Sequence, residues 1–117
     1  MREIKAYVRN VKVDEVIDAL SKLDAVSGVA VVSLRAYGHS AGNGGLKRVE
    51  MTKLEVDIAD DAEQAVVDCI VEYGRTGAGH PGDGRVFVTQ LERAVRIADG
   101  TEDDGRVSTQ GSGTRDG

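Results

Sequence analysis

Residues 2–23 read REIKAYVRNVKVDEVIDALSKL, and within them the apolar period changes from two to about 3.6. Ile4, Ala6 and Val8 alternate with Lys5, Tyr7 and Arg9, so an extended chain here has one apolar and one polar face. Val13, Val16, Ile17, Leu20 and Leu23 then recur at helical spacing and predict an amphipathic helix of about three turns. Gly28 ends that segment, and Val29 to Leu34 follows as a nearly continuous β-branched run, a strand apolar on both faces. Leu54, Val56 and Ile58 alternate with Lys53, Glu55 and Asp57 as a third strand. Ala62, Ala65, Val66, Cys69, Ile70 and Tyr73 fit a second helix, with Asp60 or Asp61 placed to cap it. Val86, Phe87 and Val88 make a fourth strand, and Ala94 to Ala98 a short fifth piece. The order strand, helix, strand, strand, helix, strand predicts an α+β fold, the ferredoxin-like βαββαβ plait. Its two helices cover one sheet face only. A second strand that is apolar on both faces would leave a patch that monomers seldom expose, so an oligomer with inward-facing sheets is expected.

The composition agrees. The chain has 117 residues, one domain by length, with 40% hydrophobic and 30% charged residues. Aromatics are 3% and Trp is absent, so Val, Ile, Leu and Ala must build the core. Fifteen glycines against one proline point to loops made of glycine, at 38–48 and at 74–84. The net charge of −5 disfavours a general nucleic-acid binder. A single Cys forbids an internal disulfide and fits a reducing compartment. The charged N-terminus lacks a signal-like apolar stretch, and no apolar run approaches the roughly 20 residues of a membrane span, so a cytoplasmic location is expected. Between Asp99 and Gly117, five acidic residues face two arginines and only one sizeable apolar residue, Val107. The expected organisation is a domain over 1–100 with a mobile loop at 38–50, then a flexible acidic, Gly-rich tail over 101–117.

The most informative chemistry lies in Gly82-Asp83-Gly84-Arg85, followed by Arg93 and Arg96. Glycines let a backbone approach an anion and aim N–H groups at phosphate oxygens, and arginines grip phosphate with two prongs. Arg96 could return on a neighbouring strand to the same place as Arg85. A tight hairpin turn with solvated arginines fits the same residues, and the pattern leaves both readings open. His39 and His80 sit in separate loops, short of a metal-ligand set. Cys69 lies on the apolar stripe of the second helix and reads as a small buried hydrophobe. Lys47-Arg48 forms a basic tip. No paired carboxylates, nucleophile elbow or Walker motif is present, so no enzyme is expected.

The segments GDGRVFV (82–88) and RAVRIADGTEDD (93–104) together resemble the C-terminal signature of the PII signalling family. KVDEVIDAL (12–20), Gly28, the Val-rich strand and Tyr37-Gly38 extend the resemblance over about residues 1–104. It implies a homotrimer that binds ADP, AMP or ATP in clefts between subunits, with Mg left open. It also implies a mobile T-loop, here 38–50, that controls a membrane transporter or enzyme. Residue by residue, Gly82, Asp83, Gly84 and Arg85 match the family's phosphate loop, Arg85 standing for a lysine. Arg96 matches the first of two phosphate-binding arginines, and Ala98 occupies the second place. Ser27 and Gly28 match a Thr-Gly pair near the adenine, Asp57 and Ile58 frame the base through their backbone, and Gly38 matches the T-loop root. The chain also departs from the family. His39 and Ser40 stand near the place of a glutamine that helps hold Mg-ATP and 2-oxoglutarate. Met51 replaces a lysine for that effector's carboxylate, and no Tyr lies between Gly38 and Glu50. These departures imply a divergent branch with weaker γ-phosphate binding and a small-anion effector, for which bicarbonate, linked to inorganic-carbon uptake and carboxysomes, is a candidate. Three alternatives stay open: a metal-related trimer of the divalent-cation-tolerance type, using His39 or His80; a nitrogen-status PII sensing 2-oxoglutarate; and a small enzyme of the same fold.

Overall fold

A computed structural model describes residues 1–39 and 44–107. Strand β1 (Arg2–Arg9) leads through a 3-10 turn (Asn10–Lys12) into helix α1 (Val13–Ser21). Strands β2 (Ala30–His39) and β3 (Leu46–Ile58) follow. A second 3-10 turn (Asp60–Ala62) then enters helix α2 (Glu63–Gly74), and a third (Pro81–Asp83) enters strand β4 (Gly84–Gln90). The four strands form one antiparallel sheet in the order β2-β3-β1-β4. This is the expected α+β, ferredoxin-like plait. No helix among the described residues is long and apolar enough to cross a membrane.

The alternation read from the sequence sets the sheet's two faces. One row runs Val31, Leu54, Ala6, Val86 across the sheet, and the next runs Val32, Lys53, Tyr7, Arg85. The first faces the helices, where Ile4, Ala6, Val8, Leu54, Val56 and Ile58 meet Val16, Leu20, Val66 and Ile70 in an aliphatic core. A one-residue slip would move that set to the open face, so burial fixes the register. The helices cover the two central strands but not the β2 edge. Val31, on the helix side of β2, and Val32, on its open side, both remain about half exposed, at 50% and 44%. Both faces of β2 are thus apolar and uncovered in a single protomer.

Three local expectations are corrected. The loop expected over 38–50 is narrower, because Gly38 pairs with Lys47 and His39 with Leu46. Main-chain groups there satisfy one another in the ladder, and Tyr37 and Val49 suit an extended chain. Within the remaining connection, 40–43 lies outside the described residues. Asp60 and Asp61 do not cap α2. Asp60 accepts from the Met1 amine at 2.6 Å and Asp61 from Arg106 at 3.2 Å, charged donors that are stronger partners than a backbone amide. Residues 94–98 form no strand; Val95 makes one isolated bridge to Glu102. That bridge draws in the start of the expected tail: Arg96 N donates to Thr101 O at 2.8 Å and Asp103 N to Ala94 O at 2.9 Å. The rest of the tail, 108–117, lies outside the described residues.

Candidate functional site

The glycine loop is organised by its one carboxylate. Asp83 accepts from the Thr76 amide (3.0 Å), the Thr76 hydroxyl (2.7 Å), the His80 amide (2.8 Å) and Arg9 Nε (2.9 Å). The His80 amide, then the Thr76 hydroxyl and amide, hold the Asp83 carboxyl far below the usual carboxylate range, with Arg9 adding to them. Asp83 therefore spends its charge on the loop itself. It shapes the cradle formed by the loop. Gly84 leaves that loop at φ 112°, and a Cβ there would stand 1.7 Å from the Tyr7 carbonyl oxygen. Only glycine allows this close approach of β4 to β1.

Around this loop lies a cavity of about 860 Å³. Gly82, Gly84 and Arg85 line it from one side, Gly38 and His39 from the end of β2, and Met51, Arg9 and Tyr7 form its floor. Arg85 makes no ion pair among the described residues and lies 5.8 Å from the Phe87 ring centroid, with Tyr7 edge-on to the same ring. Its guanidinium is thus available to an anion. Met51, at 7% exposure, presents an apolar surface to this cavity. His39 and His80 line this one cavity, although the sequence separates them, but no third metal-ligating residue joins them among the described residues. Arg9 is the cavity-lining residue that the sequence reading missed. Its alternation places it on the open face, but its partner is 74 residues away.

A second cavity, of about 590 Å³, holds Ser27, Gly28, Asp57 and Arg96, together with Asp103 and Arg106. Burial, then Glu3, Glu55 and Asp103, push the Asp57 carboxyl up. The Ile58 side chain is fully buried, and Gly105 lies so close to the Ile58–Ala59 peptide that a Cβ would stand 2.5 Å from the Ile58 carbonyl carbon. Cys69 is half-buried and its thiol is pushed up by burial, then by Glu72, the environment of an unreactive cysteine.

The two cavities lie at opposite ends of the sheet. In register along β1, Arg85 of the first cavity pairs with Tyr7 and Asp57 of the second cavity's strand with Glu3, four residues or about 13 Å apart at 3.3 Å per residue. Within one protomer Arg96 therefore does not return to Arg85, contrary to the sequence expectation. The intervening strand is fully extended, and no turn folds its ends together.

The family model described as nitrogen regulatory protein P-II matches residues 1–101. The nitrogen regulatory protein P-II of Haemophilus influenzae is 31% identical over 115 residues, covering 92% of this chain and all of that protein. Those of Klebsiella oxytoca and, as P-II 1, Escherichia coli K12 are each 30% identical with the same coverage. The fold and the sequence agree over the whole domain, and the chain belongs to the P-II family of regulatory proteins.

Proposed function

We propose that the protein is a homotrimeric regulator that binds an adenine nucleotide, ADP, AMP or ATP, between adjoining subunits. The observation that carries this reading is the division of the recognition residues between two separate cavities on one sheet. One half offers Arg85, with no ion pair among the described residues, and the glycine cradle; the other offers Arg96 beside Ser27, Gly28 and Asp57. A second copy that sets its Arg85 cavity against the Arg96 cavity would let one nucleotide touch both. The exposed apolar residues on the uncovered face and edge, Val31, Val32 and Phe87, give such copies a reason to associate.

In this reading the Arg85 cavity also admits a small anion such as bicarbonate beside the nucleotide, and the span 38–50 passes the bound state to a transporter or enzyme in the cytoplasm. In this reading the work of the site is recognition. Nitrogen-status sensing is the second reading, since the relatives are named nitrogen regulatory proteins; with 2-oxoglutarate as its effector it must bind a carboxylate over the apolar Met51.

Calorimetry with ADP tests the proposal. Arg96→Ala should weaken binding about ten- to a hundredfold, the size of one lost charge-assisted contact. Arg75→Ala, an arginine that lines neither cavity and reaches only the Val71 carbonyl at 3.4 Å, is the control and should bind normally. Equal ADP affinity in the wild type and Arg96→Ala at one fixed salt concentration would reject the site. Titrations with bicarbonate and with 2-oxoglutarate separate the two effector readings.

A further inference from the structure

Arg96, the cation of the second half-site, is already engaged by the chain itself. Asp103 Oδ1 lies 3.5 Å from Arg96 Nη2, and Nη1 reaches Thr101 Oγ1 at 3.4 Å and Glu102 O at 3.5 Å. These contacts belong to a built turn. Asp99 accepts from the Thr101 amide at 3.0 Å and from its hydroxyl at 2.7 Å, and Gly100 N donates to Arg96 O at 2.8 Å. Beyond the turn, Gly105 sits against the Ile58–Ala59 peptide and Arg106 pairs with Asp61 at 3.2 Å. Residues 101–106 thus form a strap anchored at both ends, with one carboxylate resting on the site's arginine.

The contact is suited to being exchanged. Its 3.5 Å separation exceeds the 2.7–2.9 Å of a strong charge-assisted bond, and Arg96 and Asp103 are 46% and 31% exposed. Asp103 is also crowded by like charge, since it is one of the groups that push the Asp57 carboxyl up. A terminal phosphate brings more oxygens and more charge than one carboxylate, so it can outcompete Asp103 without breaking the anchors at Gly105 and Arg106.

We propose that Asp103 is an internal competitor for Arg96, an autoinhibitory anion that a nucleotide phosphate must displace, so that the 101–106 strap sets the affinity of the cleft. This rests on the nucleotide reading above. The test is Asp103→Asn, which keeps the oxygen that accepts from the Gly105 amide at 2.8 Å and removes only the charge. ADP affinity of the full chain, by calorimetry, should rise about two- to fivefold, the scale of an exposed ion pair. Asp104→Asn makes the same charge change, but Asp104 turns to Arg106, accepting from its amide at 2.9 Å, and has no contact with Arg96, so ADP affinity should not change. In an Arg96→Ala background, Asp103→Asn should give no gain, which identifies the arginine as the route of the effect. An unchanged affinity in Asp103→Asn, or an equal gain from Asp104→Asn, overturns the competitor alone. Absence of ADP binding to the wild type and to Asp103→Asn overturns the nucleotide reading, and the competitor with it.

Discussion

Gly84→Ala tests the junction on which the glycine cradle hangs. Gly84 opens β4, pairs with Val8 and holds φ 112°, ψ −160°. Two costs add. A side chain at this φ is strained by about 1–3 kcal/mol. The added methyl would also meet the Tyr7 carbonyl at 1.7 Å, a contact that only separation of β1 from β4 can relieve. Losing one ladder hydrogen bond there costs about 1 kcal/mol. The sum is about 2–4 kcal/mol, a fall in melting temperature of roughly 8–16 °C for a domain of this size. The matched control is Gly82→Ala, whose methyl meets only the end of the Arg9 side chain at 2.8 Å. That guanidinium can swing aside for less than about 1 kcal/mol. Both variants are measured by urea denaturation and calorimetric melting at one protomer concentration, because association would otherwise shift the midpoint. Gly84→Ala within about 0.5 kcal/mol of the wild type would refute the close-approach argument, since surface changes without a structural role fall in that range.

Asp83→Asn should loosen residues 76–84, seen as faster amide exchange at Thr76 and His80, whose N–H groups lose a charged acceptor. The sign of the pH effect follows from the lowered Asp83 carboxyl: the stabilisation is present above the ordinary value of 3.8 and is lost as pH falls below it through the folded-state value. Exchange at those amides that does not change on acidification or substitution would show that the carboxylate does not hold the loop. Val32→Glu places a charge on the open face of β2 and should convert a trimer into a 12.4 kDa monomer by light scattering, with helical circular dichroism intact. A wild-type monomer, or a Val32→Glu trimer, contradicts assembly through that face.

Much of this molecule is written in local patterns. The period of two at Ile4, Ala6 and Val8, and of 3.6 from Val13 to Leu23, is enough to assign strand and helix and to name the buried face, because burial selects side chains at the spacing of the element. The two-faced run at Val31 and Val32 likewise announced a surface that one protomer leaves bare. The glycine loop at 82–84 was legible because left-handed backbone and close approach exclude other residues. What the sequence could not decide are pairings between distant residues. Asp83 reads as a ligand group beside its glycines, and only the fold brings Arg9 and Thr76 onto it. Asp60 and Asp61 read as helix caps, yet Met1 and Arg106 claim them. Arg96 reads as a neighbour of Arg85, yet the two line separate cavities of an extended sheet, and Asp103 reaches the guanidinium first. A side chain's partner is settled by competition among all the groups that the tertiary structure brings within reach, and periodicity along the chain carries no record of it.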